Sequence, residues 1–114
     1  MNLESEIYRL SFELSKELEE SDLNKLLGVL SSDGVYAMWV YTMDKFKKDR
    51  DKGKKNKINN LFEQLNKEFI KLSGNIKPEY FQELARNLNQ LIFMKELLER
   101  VLIYARYHAK AKGD

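Results

Sequence analysis

The chain has no cysteine, one proline, five glycines and one histidine in 114 residues. Without cysteine there can be no disulfide and no thiolate metal site. So little proline and glycine leaves little turn chemistry. A sheet protein of this size needs many turns, so an all-α fold is expected. No run of 18 apolar residues occurs, and the N-terminus lacks a basic stretch followed by an apolar one. Neither a membrane span nor an export signal is expected, and the default location is the cytoplasm.

Catalytic constellations are also missing. The one histidine, His108, falls on an apolar helical stripe and reads as a core or helix-end residue. A carboxylate-bridged metal bundle needs Glu-x-x-His pairs, and no Glu stands three residues before His108. There is no phosphate-cradling Gly-x-x-x-x-Gly-Lys-Ser/Thr loop and no Gly-x-Ser-x-Gly elbow. Glu63 with Glu68, and Glu96 with Glu99, are helix-spaced acids of the kind found on solvated faces, with no convergent partner for acid–base work. The expectation is a protein that is not an enzyme and carries no cofactor or metal.

What the chain does contain is helical periodicity. Hydrophobic residues make up 43% and charged residues 33%, which is a globular balance, and the length suits one domain over residues 1–114. In the stretch from Asn89 to Lys112, Leu91, Met94, Leu98, Val101, Ala105 and His108 recur at spacings of three and four, on one side of a helix. Leu97, Leu102, Tyr104 and Ala109 widen the stripe, so this helix should be covered on several sides. The predicted architecture is a compact bundle of five to six helices around a long, largely buried C-terminal helix.

Before it, Leu3, Ile7, Leu10, Leu14 and Leu18 predict a first helix over residues 3–20. Ser21 or Asp22 can cap a short second helix carrying Leu23, Leu26, Leu27, Val29 and Leu30, ended by the break Ser31–Gly34. A third helix follows from Gly34 to Lys48, with Val35, Met38, Trp39, Thr42, Met43 and Phe46 on one side and Tyr36, Val40 and Tyr41 extending it. Ile58, Leu61, Phe62, Leu65, Phe69 and Leu72 mark a fourth helix ending at Gly74. Pro78 opens the next, with Tyr80, Phe81, Leu84 and Leu88 on its apolar face and a break or kink at Asn87–Asn89.

Charge is unevenly spread. Residues 1–33 hold eight acids and three bases, and residues 34–114 ten acids and seventeen bases, for net charges of −5 and +7. Residues 44–57 alone hold eight bases and three acids, with no apolar period after Phe46. Residues 49–56 therefore read as an exposed, mobile basic loop. Lys45, Lys47, Lys48, Arg50, Lys54, Lys55 and Lys57 crowd this region, and Arg100, Arg106 and Lys110 project from one side of the last helix around Ile103 and Tyr107. Such groups could neutralise an RNA backbone, which takes charge and reach but no base reading. The plain alternative is a solvated surface that serves solubility. Tyr36, Trp39 and Tyr41 could stack on bases, but at helical spacing among Val and Met they read as core. High Lys and Glu content suits a thermophile; nine Asn residues argue the other way.

Two stretches carry a family resemblance. LLGVLSSDGVYAMWVYTMDKF, residues 26–46, and FMKELLERVLIYARYHAKA, residues 93–111, resemble segments of the small all-helical subunits of type III CRISPR effector complexes. The Cmr-type (III-B) subunit is the better match and the Csm-type (III-A) subunit the near alternative. The likeness covers about a third of the chain directly. It implies a non-catalytic subunit that stacks in several copies inside an RNA-guided assembly. Such a subunit lines the path of guide and target RNA and contacts the larger backbone and signature subunits. On the resemblance, Arg100, Arg106 and Lys110 match the basic end of the last helix, and Lys45, Lys47 and Lys48 the charged exit of the Gly34 helix. The 49–57 segment rests on charge alone. Head-to-tail stacking needs complementary opposite surfaces, which the acidic first third and basic remainder would supply through Glu17, Glu19 and Glu20. A helical adaptor that binds only protein is the second reading. A double-stranded DNA reader ranks last, because the helix after Gly34 carries Tyr, Met, Trp and Val where base-reading residues should stand.

Overall fold

Most of the helices begin or end on a residue suited to the task. The computed structural model describes residues 2–113 and contains six α-helices. Asn2 caps α1 (Leu3–Ser15), its Oδ1 accepting from the backbone N–H groups of Glu4 at 2.8 Å and Ser5 at 3.3 Å. This satisfies two of the donors that every helix start leaves open. Before α2 (Glu20–Asp33), the Glu19 N–H donates to the Asp22 carboxylate at 3.0 Å. Gly34, at φ 100°, joins α2 directly to α3 (Val35–Lys45), a conformation that favours glycine. Pro78 occupies the first turn of α5 (Pro78–Arg86), where its missing N–H costs nothing. The expected break falls on Asn87, whose extended backbone ends α5 and whose Oδ1 accepts from Gln90 N–H at 3.1 Å at the start of α6 (Leu88–Gly113).

Several boundaries differ from the periodicity: Ser31–Asp33 stay in α2, where a break was expected, and α3 stops at Lys45 rather than Lys48. The first helix stops at Ser15 rather than near residue 20, although Leu18 in the following turn is still buried. The larger difference is at residues 49–56, expected as a mobile loop. Asp49–Asp51 form a single 3₁₀ turn, and α4 (Lys52–Leu65) begins at once, so most of the basic segment is helix. Lysines are good helix formers, and the absence of an apolar period here reflects a helix turn held by charge rather than by grease. At its far end α4 runs into a π turn, Asn66–Ile70, closed by Lys71 in the left-handed conformation at φ 64°. The helix expected to reach Leu72 is therefore cut short.

α6 spans 26 residues, about 39 Å at 1.5 Å per residue. Met94, Leu97, Leu98, Val101, Leu102, Ala105 and Ala109 are buried, chiefly against Ile7, Leu10 and Leu14 of α1 and Leu23, Leu26 and Leu30 of α2. The bundle is thus organised around this helix. Its cover is one broad face, however, since Leu88, Ile92, Phe93, Ile103 and Tyr107 remain exposed on the rest of its circumference. On α3, Tyr36 and Val40 likewise stay exposed, whereas Trp39 and Tyr41 are partly buried. α1 and α6 run parallel in a fixed register. Glu4 meets Arg100 at 3.0 Å, Tyr8 meets Tyr104 edge-on at 5.0 Å, and Phe12 meets His108 edge-on at 5.7 Å. His108 is accordingly an exposed helix-end residue rather than a core one. No helix among the described residues is long and apolar enough to cross a membrane.

Candidate nucleic-acid interface

The two faces of α4 do different things. Lys54 and Lys57 point inward to the acidic helices. The Lys54 ammonium lies 2.9 Å from Asp22 and 5.8 Å from the Phe46 ring centre, and Lys57 lies 3.3 Å from Glu13. At Gly53 the exposed Glu17 carboxylate comes close enough that an added Cβ, 2.9 Å away, would push it aside. The hydrogen bond to Asp22 raises the Lys54 pKa above its usual value. Lys16 and then Lys57 hold Glu13 below the usual carboxylate range. The acidic first third of the chain therefore spends part of its charge inside the molecule. Lys52, Lys55, Asn56, Asn59, Glu63 and Asn66 recur at spacings of three and four on the other face, away from α1.

This sorts the ten predicted RNA contacts. Lys54, Lys57 and Arg100 are held by carboxylates of other helices, and Lys47 and Arg50 by their neighbours Asp44 at 3.4 Å and Asp51 at 3.9 Å. Arg106 donates to Asn24 Oδ1 at 3.3 Å. Lys45, Lys48, Lys55 and Lys110 have no carboxylate within 4.0 Å among the described residues, and neither does Lys52, which charge counting had not singled out. Arg100 and Arg106 do not form one patch: the first leans to α1, the second to α2. Lys110 sits apart, beside a hollow of about 440 Å³ that Glu17, Glu19 and Glu20 also line. What remains is the α3–α4 corner of the chain, with Lys45 at the end of α3, Lys48 in the connection and Lys52 and Lys55 at the start of α4.

Next to that corner lies a cleft of about 830 Å³. Trp39 and Met43 of α3 form one wall, Asn56, Asn59, Glu63 and Gln64 of α4 the floor, and Gly74, Asn75 and Ile76 the far rim. Trp39 Nε1–H donates to Asn59 Oδ1 at 3.0 Å, which fixes the indole. Asn66 builds the rim. Its Oδ1 accepts from Leu72 N–H at 3.0 Å and from the Tyr80 hydroxyl at 2.7 Å, while its Nδ2 donates to Leu72 O at 2.8 Å. Four of the nine asparagines line this one cleft. That concentration was visible in the sequence but is not a periodic signal, and α3 and the 74–76 segment come from elsewhere in the chain.

Burial pushes the Tyr80 hydroxyl up to about 12 from 10.0. Because the neutral form is favoured in the folded state, its contribution to stability is complete below pH 10.0 and is lost as pH rises toward about 12. Urea unfolding across that range is expected to show this alkaline loss, and the Tyr80→Phe variant to lack its share of it.

No family model, curated protein or solved structure matches the chain. The fold and the site define a class only: an all-α bundle with an unpaired lysine corner beside a carboxamide-lined cleft.

Proposed function

We propose that the protein is a non-catalytic structural subunit that contacts an RNA backbone, of the kind that stacks inside type III CRISPR effector complexes in antiviral defence. The observation that carries the RNA contact is the corner of Lys45, Lys48, Lys52 and Lys55. These lysines have no carboxylate partner among the described residues, while the adjacent Lys54 and Lys57 are tied to α2 and α1. Charges already paired inside a molecule have little left for a phosphate; unpaired, solvated ones can displace counterions from it. The resemblance of residues 26–46 and 93–111 to the Cmr-type small subunit supplies the assembly, with guide and target RNA, larger subunits and further copies of the chain as partners. The Csm-type subunit is the near alternative.

Fluorescence anisotropy with single-stranded RNA across a salt series tests the contact. The combined variant Lys45→Glu, Lys48→Glu and Lys55→Glu is expected to weaken binding, and each lost contact to flatten the log–log salt slope by about 0.7. Unchanged affinity and slope would remove these lysines from the interface. Stacking of copies is tested separately. Glu17, Glu19 and Glu20 are exposed, so neutralising all three is expected to weaken self-association in sedimentation while the helical content is kept.

The second reading, a protein-only adaptor, draws on Tyr8, Phe12, Ile103 and Tyr107, which leave apolar surface exposed along α1 and α6. It predicts no RNA cross-link anywhere on the chain.

A further inference from the structure

We propose that the cleft between α3 and α4 accepts an unstacked nucleobase, with Trp39 as the stacking surface and Asn56, Gln64 and Asn75 reading its edge. The proposal deepens the RNA-backbone reading and, for bases within a strand, rests on it.

A base needs an aromatic plane against its face and paired donors and acceptors along its rim. The cleft has both. Trp39 is partly buried and held in place by its aromatic neighbours, stacked on Tyr36 at 6.1 Å and tilted against Phe81 at 5.2 Å. Its N–H is already committed to Asn59, so what it offers a ligand is surface rather than a donor. A carboxamide offers an acceptor and two donors in one plane, the combination that pairs with base edges. Asn59 and Asn66 are consumed by structural bonds. Asn56, Gln64 and Asn75 make no side-chain hydrogen bond among the described residues and are open to a ligand. At about 830 Å³ the space falls within the ordinary range of ligand pockets, about 300–1,000 Å³.

Charge separates the base from its phosphate. The cleft lining holds one cation and one anion, Lys67 and Glu63, which suits a neutral ring. Lys52 stands four residues before Asn56 on the same face, about 6 Å along the axis, and Lys55 is adjacent. A nucleotide lying along α4 would thus meet lysine first and carboxamide next. The rim is also built at a cost. A π turn and a left-handed non-glycine residue, Lys71, raise the segment that carries Asn75, and such departures concentrate at binding sites.

Trp39 is the only tryptophan in the chain, so its emission reports on this cleft alone. The full chain would be titrated with a short oligoadenylate, with a strand of the same length lacking bases, and with adenosine monophosphate. Anisotropy would report binding and Trp39 emission would report stacking. The expected result is that both strands bind but only the one with bases quenches Trp39. Asn56→Ala combined with Gln64→Ala and Asn75→Ala should weaken the base-bearing strand about five- to a hundredfold, with unchanged circular dichroism and unchanged affinity for the abasic strand. If both strands bind equally and Trp39 stays silent, the base site is overturned and the backbone contact stands. If neither strand binds, the backbone reading falls; quenching by the mononucleotide then keeps the cleft as a free-nucleotide site, and silence overturns it. Quenching by an extended peptide and by no nucleotide would also overturn it.

Discussion

Replacing Phe62 with alanine is expected to lower the unfolding free energy by about 3–5 kcal/mol. The ring is fully buried on α4 and meets Phe81 edge-on at 5.6 Å. Phe81 in turn touches Trp39, Tyr36 and Tyr80, so Phe62 anchors the aromatic cluster behind the cleft. Truncation loses the transfer energy of the ring and leaves a void that neighbours on three helices cannot fill together. A domain of this size holds about 5–15 kcal/mol in all, so about a fifth or more of the stability would go. The urea midpoint should fall with the slope unchanged. A loss below about 1 kcal/mol would mean that the site collapses around the gap, contrary to close packing there.

Asn66→Ala is expected to have the next largest effect. One side chain satisfies the Leu72 N–H, the Leu72 carbonyl and the Tyr80 hydroxyl. Alanine satisfies none of them, and each group left buried without a partner costs about 1–3 kcal/mol. The hydroxyl is the most exposed to this penalty, since Tyr80 is only 3% accessible. The Asn66→Ala loss should shrink in a Tyr80→Phe background, where that hydroxyl is gone, and a double-mutant cycle measures the difference. Strict additivity would show that the 2.7 Å contact contributes nothing. Amide hydrogen exchange at residues 71–76 should also quicken, because Asn66 pins this segment to the end of α4.

How much of this could be read in advance depended on whether neighbours in sequence or neighbours in space set the structure. Pro78 and the Asn87 break are local signals that fall where expected, Gly34 ends α2 although Ser31–Asp33 before it stay helical, and the α6 stripe from Met94 to Ala109 is buried on one face rather than several, with His108 exposed. The start of α4 is not local. Lys52–Lys57 has no apolar repeat, and its inner face is fixed by Asp22 and Glu13, thirty or more positions away. A charge run that pairs across the fold looks, in one dimension, the same as a solvated loop. The π turn was hidden for a similar reason: its stabilising bonds reach to Leu72, Tyr80 and, from Gln90 to the Ile70 carbonyl, α6. Of the candidate RNA contacts, the sequence supplied the charges but not their partners. Arg100 and Lys54 looked as free as Lys48. The Trp39 cleft went unnoticed because spacing assigned Trp39 to the core and the asparagines to no pattern.

The parallel register of α1 and α6 has a consequence for biosynthesis. The residues that Glu4, Tyr8 and Phe12 meet on α6 are 96 positions further along the chain. On the ribosome, α1 therefore emerges with Ile7, Leu10 and Leu14 bare, meets α4 midway through translation, and gains its main partner, α6, only when nearly the whole domain has been made. α2 and α3, joined at Gly34, and α4 with its π turn can form contacts in that interval. α1 can thus complete its packing only once α6 has been made, and until then part of its leucine face stays bare.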